Sequence, residues 1–119
     1  MIKTDIIIPC WEGSSSEDLI NSLNSLKKEI SLINKLIIVL DGKNSFFKFK
    51  IEDKVLEDKI LFIYLQNNQG PGTARNIGAI FSEAENLLFL DAGDMSIENR
   101  VLSQNKALNS NYISVGAIK

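Results

Sequence analysis

Short apolar segments alternate with amphipathic segments along the chain, and this alternation is the first indication of the fold. The first two of these segments are Ile6–Ile8 and Lys35–Leu40, and all their side chains except that of Lys35 are apolar. Strands that are apolar on both faces are typical of parallel sheets, because helices cover both faces of such sheets. We therefore predict a parallel sheet, with further strands over Ile60–Leu65, Asn86–Leu90 and Tyr112–Val115.

The segments between these strands have the end signals of helices. Serine hydroxyls accept hydrogen bonds from the first turn of a helix, and a proline flanked by glycines marks a tight turn into one. On these signals, the predicted helices run from Ser14–Ser16 to about Ile30, over residues 50–58, from about Gly72 to Glu85, and onward from Ser96.

The longer predicted helices each carry apolar residues at the three- and four-residue spacing of one buried face. These residues are Leu19, Ile20, Leu23, Leu26 and Ile30 in the first helix, Ala74, Ile77, Phe81 and Ala84 in the next long one, and Ile97, Val101 and Leu108 in the last. Strands that alternate with helices in this way indicate an α/β fold with right-handed crossovers.

The composition is that of one globular domain, with 119 residues, 45% of them hydrophobic and 24% charged. The chain has no histidine and one cysteine, Cys10, which excludes histidine-based catalysis and an intrachain disulfide. A net charge of -2 without a dense Lys/Arg stripe argues against a nucleic-acid partner. Its apolar stretches fall far short of the roughly 20 residues that span a bilayer. We therefore expect a soluble domain, or a piece of one, without a transmembrane segment.

Residues with useful chemistry directly follow the predicted strands. Glu12 comes after the first strand, Asp41 after the second, Arg75 after the third, and Asp91 and Asp94 after the fourth. Ligands of open α/β sheets bind at the carboxyl ends of the strands, so these side chains are candidates for one site. Carboxylates that converge there need a counter-charge, which a divalent cation or Arg75 would supply. Taken singly, each aspartate is also typical of a turn or a helix cap.

Four motifs occur in the order found in a known enzyme family. They read IIIPCWE, LIIVLDG, NQGPGTARNIGA and LLFLDAGDMSIENR. They resemble IIPxYN, IIVVDDGS, GxxxARNxG and FLDADDxxxPxR of family 2 glycosyltransferases, which have the GT-A fold. The resemblance runs from Asp5 to about Val115 and implies a mostly parallel, twisted sheet with helices on both faces. Residues 1–119 would then form a single Rossmann-like domain, the nucleotide-binding half of a truncated GT-A fold.

The resemblance implies that the nucleoside lies against the first two motifs. Trp11 stands where the family usually has a tyrosine beside the base, and Pro9 would aim this loop at the base. Glu12 would accept a hydrogen bond from the base or the ribose. Asp41 matches the aspartate that accepts from the imide N–H of a uracil-like base, while Leu40 replaces the other aspartate of that pair.

The last two motifs imply a diphosphate end of the same site. Arg75 would reach the diphosphate or pair with the nearby carboxylates. Asp91 is the first carboxylate of a DxD-like segment, expected near the ribose and a Mn²⁺ or Mg²⁺ ion. Gly93 stands where the family has its principal metal-binding carboxylate, so the expected metal ligands are Asp91 and Asp94. Arg100, which matches the arginine of PxR, is expected to anchor its helix to the edge of the sheet.

The activity implied by the resemblance is transfer of a sugar from a nucleoside diphosphate donor, with uridine as the family's commonest base. The acceptor would be the hydroxyl of a glycan or a lipid-linked molecule, in polysaccharide or glycoconjugate synthesis. We expect a cytoplasmic location, or a peripheral one at the inner face of the membrane. The family's general base lies beyond the DxD motif, so we expect it, with the acceptor-binding half, beyond Lys119. The isolated chain is therefore predicted to be inactive, and its exposed sheet edge and apolar face favour self-association.

Three other classes of protein share some of these features. A non-catalytic interaction module derived from the same fold would explain Leu40 and Gly93, the two departures from the motifs. A receiver-type signalling domain would have a phospho-accepting aspartate after the third strand, where this chain has Gln66 and Asn67. A dinucleotide-binding domain would have GxGxxG after the first strand, and this chain does not.

Overall fold

A four-stranded parallel sheet organises the chain. In the computed structural model, the described residues are 3–11, 13–42, 51–96 and 100–110, of which 107–110 are described by their backbone alone. The strands are β1 (Thr4–Cys10), β2 (Lys35–Asp41), β3 (Ile60–Leu65) and β4 (Asn86–Phe89). Their order across the sheet is β3-β2-β1-β4, and each adjacent pair is parallel. The parallel α/β sheet predicted from the sequence is therefore confirmed.

This strand order predicts where a ligand binds and excludes a receiver-type domain. The chain runs outward from β1 through β2 to β3 and then crosses back to β4 on the other side of β1. Such a reversal leaves a crevice at the carboxyl ends of the strands beside it, here β1 and β4. A receiver-type domain has its first strand between the second and the third, so that hypothesis is wrong.

Helices cover both faces of the sheet, as predicted. They are α1 (Ser16–Asn24), a 3₁₀ helix (Lys27–Leu32), α2 (Lys54–Lys59), α3 (Pro71–Phe81) and α4 (Arg100–Ser110). Residues of α1, α2 and α4 pack with Ile6 and Ile8 of β1 on one face, and Ala74 of α3 packs with Ile7 on the other. Among the described residues, none of these helices combines the length and hydropathy needed to cross a membrane.

The first predicted helix is shorter than its apolar pattern indicates. Ser15 is its N-cap, where the Oγ accepts from the backbone N–H of Asp18 at 3.0 Å. The α-helix then stops at Asn24, where the hydroxyl of Ser25 donates to the carbonyl of Ser22 at 2.6 Å. A serine that bonds the preceding turn competes with helical hydrogen bonding. The prediction of one helix to about Ile30 is therefore wrong, because a 3₁₀ helix follows α1.

The third helix also ends early, at Phe81 and not near Glu85. The next residue, Ser82, has an extended backbone, and its hydroxyl donates to the buried carboxylate of Asp5 at 2.6 Å. Phe81 is 56% exposed, so its place on the predicted buried face is wrong. The contact with the sheet is made instead by Gly78, whose position lies against Ile7 of β1.

The other predicted elements differ less. The short helix predicted over residues 50–58 is α2, and the predicted strand ending at Leu90 is β4, which ends at Phe89. Val101 is fully buried, as predicted for the last helix. Ile97, the side chain of Leu108 and the predicted strand Tyr112–Val115 lie outside the described residues.

Candidate functional site

A pocket of about 430 Å³ opens at the carboxyl ends of the strands, in the crevice beside β1. This volume is within the range of small-molecule sites in proteins. The residues that line it are Pro9, Cys10, Trp11, Asp41, Asn68, Pro71, Ala74, Asp91, Ala92 and Asp94. Residues from four separate motifs therefore meet at one cavity, although they are far apart in the sequence. Glu12 lies outside the described residues.

Trp11 gives the pocket an exposed aromatic wall directly after β1. The residue is 61% exposed, which is unusual for a large apolar side chain. Its indole lies over Gly13, since a Cβ added to Gly13 would be 1.9 Å from the Cη2 atom of the ring. The absence of a side chain at position 13 thus makes room for the ring at the edge of the pocket.

Asp41 occupies the end of β2 and is only 2% exposed. Its Oδ1 accepts from the backbone N–H of Gln69 at 2.7 Å, and its Oδ2 accepts from that of Gly70 at 3.0 Å. The carboxylate therefore holds the loop that leads into α3, a role that the motif comparison did not include. Each oxygen can accept a further hydrogen bond, so recognition of a base by Asp41 stays a prediction.

Asn68 is a pocket residue that the sequence analysis did not single out. Its Oδ1 accepts from the backbone N–H of Gly70 at 2.9 Å, the same group that Asp41 binds. This bond assigns the other end of the side chain as the amide nitrogen, a hydrogen-bond donor. Asn68 is the first residue of the motif NQGPGTARNIGA, and that motif was the signal that this loop is close to the site.

Arg75 and Asp91 form an ion pair between α3 and the segment after β4. The Nη2 of Arg75 donates to Oδ1 of Asp91 at 2.9 Å and to Oδ2 at 3.1 Å. Their side chains are 37% and 45% exposed, so the pair is accessible from the pocket that Asp91 lines. The sequence analysis left open whether Arg75 binds phosphate or pairs with a carboxylate, and this structure has the ion pair.

The segment after β4 folds into a tight turn that brings both predicted metal ligands to the pocket. The backbone N–H of Asp94 donates to the carbonyl of Asp91 at 3.0 Å, and that of Ala92 donates to the carbonyl of Pro9 at 3.3 Å. Gly93, between them, has a φ of 98°, a conformation that favours glycine. The described residues contain no group of three or more acidic or cysteine side chains placed to hold a metal ion.

These features belong to a known family. The family model for glycosyl transferase family 2 matches residues 5–118. The chain belongs to glycosyltransferase family 2. This confirms the resemblance seen in the four motifs, over nearly the same residues.

Two curated relatives carry related names. A teichoic acid poly(glycerol phosphate) polymerase of Staphylococcus epidermidis is 35% identical over 97 residues, which are 79% of this chain and 13% of that protein. An uncharacterized glycosyltransferase of Rickettsia bellii is 26% identical over 113 residues, which are 92% of this chain and 15% of that protein. The chain therefore spans about one seventh of the length of either relative.

Solved structures of another glycosyltransferase share the fold. A crystal structure of S. aureus TarS 1-349, and one of TarS 1-349 in complex with UDP-GlcNAc, each match this chain with a TM-score of 0.67 at 21% identity. The match covers 93% of this chain, and 33% and 32% of the two TarS chains. This chain therefore corresponds to about a third of the length of each of those TarS chains.

In this family 2 glycosyltransferase, the cysteine is part of the pocket wall and chemically inert. Cys10 is fully buried between Pro9 and Trp11. Its burial, and secondly the negative charge of Asp91, raise the pKa of the thiol to about 12. The thiol therefore stays protonated near neutral pH and cannot act as a nucleophile there.

Arg100, which was expected to anchor its helix to the edge of the sheet, does anchor α4. Arg100 is buried, and its Nη2 donates to the carbonyl of Phe89 at 2.8 Å, at the end of β4. Burial lowers the pKa of the guanidinium, and the charge of Glu29 opposes this shift. Glu29, which the sequence analysis missed, accepts from the backbone N–H groups of Val101 and Leu102 at 3.0 and 2.9 Å. Arg100 thus fixes α4 to the end of β4, and Glu29 fixes it to the 3₁₀ helix.

Proposed function

We propose that this chain binds a nucleoside diphosphate sugar, with uridine as the base, for transfer of the sugar to an acceptor hydroxyl. The observation that carries the proposal is the convergence of Trp11, Asp41 and the Arg75–Asp91 pair on the crevice beside β1. A nucleotide needs an aromatic surface for its base and a positive charge for its phosphates, and this site has both. The TarS structure in complex with UDP-GlcNAc, which has the same fold, supports the choice of ligand.

The base and the ribose would bind at the carboxyl ends of β1 and β2. Stacking on the exposed indole of Trp11 would contribute about 1–3 kcal/mol. Asp41 would accept from the imide N–H of the base, since two backbone N–H groups already hold its carboxylate in place. Pro9, the penultimate residue of β1, lines the same pocket, and Glu12 is the further predicted contact.

The diphosphate would bind near Arg75. Charge builds on the diphosphate as the bond between sugar and oxygen breaks, and a guanidinium forms strong, charge-assisted hydrogen bonds to phosphate. In this structure the guanidinium is bound to Asp91 at 2.9 Å, so it is already held next to the pocket. Arg75 would turn part of its hydrogen bonding from Asp91 to the phosphates.

The carboxylates fit a Mn²⁺ or Mg²⁺ ion that the ligand itself helps to hold. Asp91 and Asp94 both line the pocket, and Mg²⁺ is usually bound by one or two carboxylates together with substrate phosphates. When bound, the ion would stabilise negative charge on the departing diphosphate. Asp94 would supply most of the coordination from the protein, because Asp91 is already paired with Arg75.

The remaining parts of the proposal concern the reaction as a whole. We propose a glycan or lipid-linked acceptor, in polysaccharide or glycoconjugate synthesis at the cytoplasmic side of the membrane. The name of the Staphylococcus epidermidis relative, a teichoic acid polymerase, supports this class of product. In the described pocket, backbone N–H groups hold Asp41, Arg75 pairs with Asp91, and the proposal assigns Asp94 to the cation. No further carboxylate of this pocket is left to deprotonate an acceptor. We therefore also propose that the chain alone transfers little or no sugar.

Calorimetric titration with UDP, with and without Mn²⁺, tests the binding proposal. We expect the wild-type chain to bind UDP, Trp11→Ala to weaken binding by about tenfold, and Trp11→Phe to retain most of it. Asp58→Ala, at an exposed position on α2, is the control variant. An interaction module without nucleotide chemistry would show no UDP binding under either condition, and that result would contradict the proposal.

A further inference from the structure

A fully buried serine on α1 holds the turn that carries Asp91 and Asp94. The Oγ of Ser22 donates to the backbone carbonyl of Asp94 at 2.7 Å and accepts from the backbone N–H of Gly93 at 2.9 Å. The residue is 0% exposed, so water does not compete for either bond. One hydroxyl therefore uses its donor and an acceptor lone pair on the two residues at the centre of the turn.

A second serine, Ser25, makes a similar contact three residues after Ser22. The Oγ of Ser25 accepts from the backbone N–H of Ser96 at 2.8 Å and donates to the carbonyl of Ser22 at 2.6 Å. The two hydroxyls thus attach residues 93–96 to the end of α1. Neither serine belongs to the motifs that identified the family.

The turn held in this way decides which side chain can reach the pocket. A Cβ added to Gly93 would lie 3.7 Å from the Cγ of Asp18, on α1. The side chain of an aspartate at position 93 would therefore point towards the carboxylate of Asp18. Its backbone would also be strained, because a φ of 98° is unfavourable for residues other than glycine. Asp94, one residue later, lines the pocket.

We propose that Ser22 is a positioning residue, which holds the turn so that Asp94, and not a residue at position 93, presents its carboxylate to the bound ligand. The inference rests on the proposed function, because it assigns Asp94 to the phosphates and the cation of the nucleotide. Ser22 acts through the backbone of Gly93 and Asp94 and does not itself touch the ligand.

The test measures how strongly Mn²⁺ enhances UDP binding, a quantity that loss of stability alone does not change. We expect Ser22→Ala to reduce this enhancement by about 10- to 100-fold, the usual effect of removing a group that orients a metal ligand. UDP binding without Mn²⁺ should change little, since the contacts to the base remain. Ser25→Ala is the matched control, because it removes a hydroxyl from the same helix end without touching Gly93 or Asp94. We expect it to lower the midpoint of thermal unfolding and to preserve the enhancement.

Two further variants keep the inference testable if Ser22→Ala does not fold. Asp94→Asn should abolish the enhancement by Mn²⁺, and Gly93→Asp should not increase it, because the new carboxylate would face Asp18. An increase with Gly93→Asp, or an unchanged enhancement in Ser22→Ala, would overturn the inference.

Mn²⁺ without nucleotide separates this inference from the proposed function. In an NMR spectrum of the wild-type chain, paramagnetic Mn²⁺ should broaden the amide signals of Ala92 and Asp94 more than in Ser22→Ala. That result with no UDP binding would contradict the proposed function and support the role of Ser22. Equal broadening in both chains, with normal UDP binding, would contradict the role of Ser22 and leave the proposed function standing.

Discussion

The Nη2 of Arg75 lies 2.9 Å from one carboxylate oxygen of Asp91 and 3.1 Å from the other. A single guanidinium nitrogen thus contacts both oxygens of the carboxylate. The pair joins α3 to the segment after β4, and it places a positive charge beside a pocket whose other described charged side chains are acidic. A diphosphate entering the pocket would find its counter-charge in place.

Arg75→Gln should therefore weaken binding of UDP but not of uridine. The variant keeps a polar side chain and loses the charge, and a hydrogen bond to a charged group contributes about 1.5–3 kcal/mol. We expect a loss of about tenfold or more in UDP affinity by calorimetry, with uridine affinity unchanged. Equal losses for both ligands would show that Arg75 supports the pocket without meeting the phosphates.

Gly13→Ala should displace the indole of Trp11 from its place at the pocket. The added Cβ would lie 1.9 Å from the ring, and because the ring is exposed it can move at little cost to stability. Trp11 is the only tryptophan, so a shift in its fluorescence emission reports the movement. We expect weaker UDP binding and an unfolding free energy within about 0.5 kcal/mol of wild type. Pyrophosphate, which has no base to stack, is the control ligand, and an equal loss for it would contradict this explanation.

Gly78→Ala should destabilise the fold at the contact between α3 and the sheet. The Cβ would lie 2.5 Å from Cγ2 of Ile7 and 3.4 Å from Cγ2 of Val39, both fully buried. Overpacking of a core costs about 1–3 kcal/mol, and the better helix propensity of alanine returns up to about 1 kcal/mol. We expect a lower denaturation midpoint in urea.

Gly72→Ala is the matched control for this variant. It lies in the same helix, where an added Cβ meets no atom within 4 Å. It should leave the midpoint unchanged or raise it. A Gly78→Ala protein as stable as Gly72→Ala would show that α3 can move away from the sheet without cost.

Cys10 should make the fold less stable at alkaline pH. Its pKa in the folded chain is about 12, against 9.0 for the unperturbed thiol. Below pH 9 the thiol is protonated in both states, and the folded state has its full stability. As the pH rises from 9 towards 12, only the unfolded chain loses the proton, so the free energy of unfolding falls by at most about 4 kcal/mol.

The difference between the wild-type chain and Cys10→Ala isolates this effect from other titrating groups. We expect the two curves of unfolding free energy against pH to converge above pH 9. Iodoacetamide at pH 8 should modify wild-type Cys10 only after unfolding. Rapid modification of the folded chain would mean that the thiol is accessible and ionised, contrary to its burial.

The sequence predicted the candidate pocket better than it predicted the helix ends. Pro9, Trp11, Asp41, Asp91 and Asp94 all line the pocket because each lies in the last residues of a parallel strand or in the segment after it, and the carboxyl ends of such strands lie at one edge. By contrast, the apolar pattern that extends the first helix to Ile30 continues through a break made by Ser25. Apolar spacing records which residues are buried, and a 3₁₀ helix after an α-helix can bury a similar set.

The sequence by itself determined the order of strands and helices, the family, and the kinds of side chain available at the edge of the sheet. These depend on local patterns of apolar residues and on motifs a few residues long. Only the tertiary structure decided what those side chains do: that Asp41 holds the loop before α3, and that Ser22 binds the turn at Asp94. The partners in these contacts are 28 and 72 residues apart in the chain, so no local pattern records them. They exist because parallel strands and the helices between them bring distant segments to the same edge of the sheet.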